Sequence, residues 1–198
     1  MKLRFRLNSR LQRGQSLAEF AMVLPVMAVM LSAVLEFGFA MDANMALEAA
    51  SRQGARVGAV LGNAGTQGVC TGARYTTAEA TVDPAILDTV KASLSTGGID
   101  FTKVQVWIFL ADANGQPTAG KINQYSWVAG AWQSSTGDAW KACGRHDGTF
   151  DGGIYDDVGV QVRYTYTSLT GVLALFTGGM PMTTSAVMPI GPPWTLLP

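Results

Sequence analysis

Arg13-Gly14-Gln15-Ser16-Leu17-Ala18-Glu19-Phe20 is the stretch on which the reading of this chain turns. Around and before it lie five cations, Lys2, Arg4, Arg6, Arg10 and Arg13, with no acid among them. Beyond it, from Phe20 to Leu35, Ser32 is the one clearly polar residue. Counted through Glu36 to Met41, a helix over this run spans about 33 Å at ~1.5 Å per residue, enough for a bilayer. The order is therefore a basic leader, 1–14, then an apolar membrane helix, 15–41. Glu19 falls at or just inside the membrane interface. An ionisable group near lipid is costly, which makes it a functional candidate by default.

The same charges orient the chain. Cations flanking an apolar helix stay on the cytoplasmic side and are drawn to anionic lipid, so residues 42–198 face outward as a globular domain. The expected location is a single pass through the cytoplasmic membrane with the N-terminus inside.

Gly14 followed by Gln15-Ser16-Leu17-Ala18-Glu19-Phe20 resembles the processing site of type IV pilins and pseudopilins. Further along come Glu19-Phe20-Ala21-Met22-Val23-Leu24-Pro25, then Leu35-Glu36-Phe37-Gly38-Phe39-Ala40, then Ala49-Ala50-Ser51-Arg52-Gln53-Gly54-Ala55-Arg56. Together they resemble the TadE-like family, minor pilins (pseudopilins) of the tight-adherence, or Flp, pilus machinery. The resemblance covers roughly residues 13 to 58. It implies cleavage between Gly14 and Gln15 by a prepilin peptidase. It also implies assembly through Glu19, Phe20 and Pro25, with other pilins and the inner-membrane assembly platform as partners and adhesion to surfaces as the outcome.

Each implied role has a physical rationale. A peptidase at the membrane surface needs an extended, unhindered backbone, and Gly14 has no side chain and little helical bias. Cleavage exposes the amine of Gln15, which Glu19 of a neighbouring subunit can pair. A buried carboxylate without a partner costs several kcal/mol, so the pairing specifies register. Cyclisation of Gln15 would remove that positive charge. Pro25 deletes a backbone donor, so the helix either loosens there on leaving lipid or is tolerated because neighbours satisfy the freed carbonyl. Glu36 falls near the outer interface, either snorkelling or meeting a specific partner. Two other readings stay open: an uncleaved anchor, and a secretory signal cut near Gly38-Phe39-Ala40. The apolar stretch is long for a signal core.

The chain's 198 residues leave room for one anchor and one soluble domain. Basic and acidic residues number 14 each. Without the leader, nine basic residues face 14 acidic ones, a net charge near −5. A nucleic-acid partner is thereby disfavoured, since it calls for a basic stripe. Cys70 and Cys143 lie in the outward segment, where a disulfide closing that large loop contributes roughly 2–5 kcal/mol. The alternative, metal binding through Cys143-Gly144-Arg145-His146, lacks the ligands of a structural zinc site. No metal or cofactor is expected.

The body reads as α+β and pilin-like: one long N-terminal helix, half in lipid and half amphipathic, packed on a small antiparallel sheet with a loop-rich, disulfide-stapled head. From Met41 to Leu61, Ala43, Ala46, Leu47, Ala50, Gly54, Val57 and Leu61 recur at helical spacing, with Asp42, Glu48, Arg52 and Arg56 on the wet side. A glycine-containing loop, 62–68, follows. A second helix is expected to start at Asp83 as N-cap with Pro84 at its first helical position, and to stop at Gly97. Val104–Leu110 reads as a strand buried on both faces, Val158–Tyr166 as an alternating strand, and Met182–Met188 as a third.

Residues 111–153 carry Tyr125, Trp127, Trp132 and Trp140. They are read as a satellite core with its own hairpin, or else as a loop that touches a surface, a sugar or a sister pilin. Gly171-Val172-Leu173-Ala174-Leu175-Phe176 is an apolar patch, read as a buried turn or as a surface for membrane or neighbour. Asp147, Asp151, Asp156 and Asp157 crowd around glycines. Their spacing is not that of an EF-hand, so a solvated turn is the default and calcium the alternative. His146 is the only histidine, and no GxSxG, HExxH or phosphate loop is present. The expectation is a non-enzymatic interaction protein; the alternative is an envelope protein that is anchored, binds a ligand or surface, and does not polymerise.

Overall fold

A computed structural model describes residues 9–62, 72–148, 154–168 and 179–191. It divides into two compact units, Met1–Ala40 with Thr167–Gly179, and Met41–Tyr166 with Met180–Pro198. Helix α1, Ser9–Leu61, contributes to both. The other elements are α2, Gly72–Ser95, and five strands. These are β1, Val104–Ala111; β2, Pro117–Val128; β3, Ala131–Ser134; β4, Asp157–Tyr166; and β5, Met180–Pro189. The architecture is α+β, a long N-terminal helix with a small antiparallel sheet.

In the first unit α1 is one helix through Pro25, and its large side chains from Leu17 to Phe39 are exposed. Length and composition make this helix sufficient to cross a membrane. Glu36 is the exception to the exposed pattern. It is fully buried, and Ser168 Oγ donates to its carboxylate at 2.9 Å. The specific-partner reading of Glu36 therefore applies in this unit.

In the second unit the sheet order is β3-β2-β1-β4-β5, every neighbour antiparallel. One face carries Val104, Val106, Ile108, Val158, Val160 and Val162, all buried. The outer half of α1 and α2 lie against it. The contact is close because α1 presents glycine there. A methyl placed on Gly54 would fall 2.8 Å from Val90 Cγ2 and 3.2 Å from Val160 Cγ1. On Gly58 it would fall 3.1 Å from both Ile86 and Val158. Leu47, Ala50, Ser51, Gly54, Ala55, Gly58 and Ala59 form the buried stripe, while Val57 and Leu61 are only half buried. The expected stripe thus rotates toward the smallest residues in its last two turns, where the helix approaches α2 and β4 most closely.

Strands β4 and β5 follow the sequence reading with slightly wider bounds. Val158, Val160, Val162, Tyr164 and Tyr166 point inward as expected. In β1 the two-sided burial is partial. Phe109 is buried on the opposite face, lying flat over Gly159, whereas Trp107 and Leu110 are half buried. The ladder to β2 slips between Phe109 and Ala111, which breaks strict alternation.

Three expectations are corrected. Asp83 is not the N-cap of α2 and Pro84 is not in its first turn, because the helix begins at Gly72 and both lie inside it. Ala73, Arg74, Ala78, Glu79 and Ala80 are good helix formers and carry the helix backwards past the proline. Residues 111–153 are not a satellite, since they supply β2 and β3 to the main sheet. Without β2, one edge of the buried central strand β1 would lack hydrogen-bond partners. Gly14 does not lie in extended backbone but inside α1, which starts at Ser9.

The expected loop at 63–68, Cys70, Asp151, and the apolar patch 171–176 lie outside the described residues. So does the pairing of Cys70 with Cys143. Cys143 itself is fully buried, and among the described residues no cysteine is free.

Candidate functional site

The residues singled out for processing and assembly all fall on α1. Gln15, Glu19, Phe20 and Pro25 are exposed. Gln15 Nε2 donates to Glu19 Oε1 at 3.1 Å, one helical turn away. This places the side chain of the residue after the candidate scissile bond beside the carboxylate, within one chain. Gly14 sits one residue before that contact, in helical backbone. Glycine in a helix costs roughly 1 kcal/mol relative to alanine, so the first turns here are easy to unwind. Beyond Gln15 and Ser16 the neighbouring side chains are apolar and exposed: Leu17 is 71% exposed, Phe20 64% and Val23 54%.

The second constellation is one the sequence reading missed. Asp83 of α2 is buried, and its Oδ1 receives Arg145 Nη2 at 2.6 Å. Its Oδ2 accepts from Asn123 Nδ2 at 2.8 Å and from the Tyr125 hydroxyl at 2.9 Å. Asn123 also holds the Trp140 backbone from both sides, accepting from its N–H at 2.8 Å and donating to its carbonyl at 3.0 Å. Arg145 adds a bond to that carbonyl at 3.2 Å, and its guanidinium lies 4.4 Å from the centre of the Trp140 ring. Burial, and then the charge of Asp83, pushes the Tyr125 hydroxyl well above its ordinary range.

This network ties α2, β2 and the segment around Trp140 and Arg145 into one body. Asp83, Asn123, Trp140 and Arg145 are buried and paired, with Tyr125 half buried beside them, so the network's role is structural. Removing either partner of the Asp83–Arg145 pair would leave an uncompensated buried charge, so the two hold each other in place. Asp83-Pro84 was the only local signal, and it reads equally well as a helix start.

Of the acidic group near His146, Asp156 is occupied. It accepts from the His146 backbone N–H at 2.9 Å and faces the ring Nδ1 at 3.2 Å. Asp157 lies in β4 opposite Pro189, and Asp147 pairs across a single bridge with Tyr155. Among the described residues no three His, Cys, Asp or Glu side chains are grouped to hold a metal.

The tryptophans of residues 111–153 divide in two. Trp140 is in the core, whereas Trp127 and Trp132 pack edge to face, 5.2 Å apart, across the β2–β3 hairpin. Lys91 of α2 lies 4.4 Å from the centre of the Trp127 ring, and Phe101 lies 5.6 Å from it. On the sheet's other face Arg163 covers the Trp107 ring at 3.3 Å.

Residues 14–56 match the family described as TadE-like protein. The matched stretch opens at Gly14, contains Gln15, Glu19, Phe20, Pro25 and Glu36, and ends at Arg56 within α1. No curated protein and no solved structure matches the chain.

Proposed function

We propose that this chain is a minor pilin (pseudopilin) of the tight-adherence, or Flp, pilus. It is cut by a prepilin peptidase between Gly14 and Gln15 and takes part in assembling or initiating the filament for surface adhesion. Residues 1–14 are the leader, 15–41 the transmembrane and assembly helix, and 42–198 the outer domain. The chain crosses the cytoplasmic membrane once, N-terminus inside, and enters the pilus at the cell surface. Its partners are the peptidase, sister pilins, the assembly platform and lipid; it is not an enzyme. One observation carries this reading. The family-matched stretch begins at the candidate cleavage glycine and runs along the helix whose apolar surface is exposed around Glu19.

In this reading the Gln15–Glu19 contact is the precursor of the assembly contact. Cleavage frees the Gln15 amine, and Glu19 of one subunit takes up the amine of the next. The peptidase must first unwind the turn holding Gly14, which glycine makes cheap. Pro25 offers a second place for the helix to loosen on leaving lipid. In the outer domain the buried Cys143 pairs with Cys70, so alkylation of the intact chain adds mass at neither cysteine before reduction and at both after it.

The test is intact mass and N-terminal sequencing of protein from native membranes, with and without the peptidase. The expected chain begins at Gln15, free or cyclised, only when the peptidase is present. A chain beginning at Met1 in both strains overturns the proposal. The alternative is an envelope protein that remains anchored without polymerising, and the helical backbone at Gly14 favours it. Glu19→Ala separates the two: incorporation into pili is lost with membrane insertion intact in the first, and nothing is lost in the second.

A further inference from the structure

Strand β5 ends the sheet. It pairs with β4 from Asp157↔Pro189 to Tyr166↔Met180 one residue to one, with no bulge. Its other side meets no strand among the described residues. The direction of its backbone groups follows from one bond in the same register, Ile190 N–H to the Asp156 carbonyl at 2.8 Å. Backbone groups alternate sides along an antiparallel strand. Met182, Thr184, Ala186 and Met188 therefore point their N–H groups at β4. Pro181, Thr183, Ser185, Val187 and Pro189 point outward, and all five are exposed.

Two features of this edge bear on what it meets. The outward donors number three, at Thr183, Ser185 and Val187, because the flanking outward positions are prolines. The strand also carries no charge, although charged side chains are a common guard on exposed edges. The pattern is symmetric about Ser185, so it is complementary to itself run backwards. Lay a second β5 antiparallel with Ser185 opposite its own counterpart. Thr183 then faces the other copy's Val187, and Pro181 faces its Pro189. In this register all six outward N–H groups meet carbonyls, and the prolines meet where neither strand offers a donor. No like charges are brought together.

We infer that the outer edge of β5 is a strand-addition site for the β5 of a second copy of this chain, joining the two sheets about Ser185. The side chains at the centre of this seam are small or β-branched, as suits cross-strand packing. Directly paired Ser185 positions come to about 5.5 Å between Cα atoms, within the range a disulfide spans.

The experiment uses the full chain purified in detergent. Mild oxidation of Ser185→Cys is expected to give a disulfide-linked dimer on a non-reducing gel. Thr184→Cys, on the opposite face of the same strand, is expected to give none. In sedimentation analysis the unmodified chain is expected to dimerise. Thr183→Pro and Val187→Pro each remove an outward donor without costing a bond to β4, and each is expected to weaken the dimer at least tenfold. Circular dichroism melts check that the fold survives. If both prolines unfold the chain, the two cysteine variants still decide the matter. An unmodified chain that stays monomeric overturns the inference, as does a dimer indifferent to both prolines. So does cross-linking from position 185 that reaches only a different protein in host membranes.

Discussion

The two halves of α1 meet opposite environments with one backbone. From Leu17 to Phe39 the large apolar side chains are exposed, with Glu36 buried among them; from Ala43 to Gly62 one face is lined mostly by small buried residues and the other carries Glu48, Arg52 and Arg56. A helix surrounded by lipid needs bulk and no polar edge, because its solvent is uniform. A helix pressed between α2 and β4 needs absence of bulk on one face, because its neighbours are already there. Gly38 and Gly54 make the contrast concrete. An added methyl finds nothing within 4 Å at Gly38, and finds Val90 Cγ2 at 2.8 Å at Gly54.

The largest test of this contrast lies in the packed region. Asp83→Ala strands the buried Arg145 charge and removes the acceptor of Asn123 and Tyr125. Breaking a buried pair in this way costs about 3–5 kcal/mol, read as a lower denaturation midpoint with membrane insertion unchanged. An equal loss of insertion would mean that the two regions do not behave separately.

Next is the glycine pair. Gly54→Ala overpacks a site bounded by β-branched valines, at about 1–3 kcal/mol, offset by up to about 1 kcal/mol of helix propensity. A net loss is expected. Gly38→Ala keeps the propensity gain with no clash, so it leaves thermal stability unchanged or slightly higher. The same sign for both would break the comparison.

Alkaline titration probes the buried network alone. The Tyr125 hydroxyl is held above its ordinary value of 10.0, first by burial and then by Asp83. A group whose folded-state pKa is raised contributes stability that is whole below the unfolded pKa and is lost as pH climbs past it. Stability is thus expected to be insensitive to this group up to about pH 10 and to fall above it. Tyr125→Phe flattens that fall, as melting curves between neutral and strongly alkaline pH would record.

The smallest effect is at the β2–β3 turn. Ala129 and Gly130 both have positive φ, 50° and 86°, the geometry of a two-residue type I′ turn. Alanine is strained there. Ala129→Gly is expected to raise stability by up to about 1 kcal/mol, and an unfolding midpoint that drops instead would argue against the strain.

How much of this was legible beforehand varies with the range of the interaction. Strands β4 and β5 follow from alternation within ten residues, and the small-residue stripe of α1 from helical spacing, though its last turns rotate toward Gly58 and Ala59. The start of α2 was misread because Asp-Pro carries the same local signal at a helix start as inside one. Asp83 instead serves Asn123, Tyr125 and Arg145, partners 40 to 62 positions away. Glu36 was a recognisable oddity, but its partner Ser168, 132 positions on, was not. Gly14, read as extended, is helical because the helix propagates back to Ser9 through neighbours that favour it.

The sequence by itself determined the N-terminal cluster of cations, the apolar run, Glu19 five residues after a candidate cleavage glycine, and the α+β order of elements. Each of these is written in residue type and spacing along the chain. Only the tertiary structure decided that 117–134 completes the sheet, that Asp83 anchors a buried network rather than capping a helix, and that among the described residues no strand pairs with the outer edge of β5. Those outcomes depend on which distant backbone and side-chain groups find each other. A buried polar group is satisfied by whatever partner the fold brings to it, and local sequence does not name that partner.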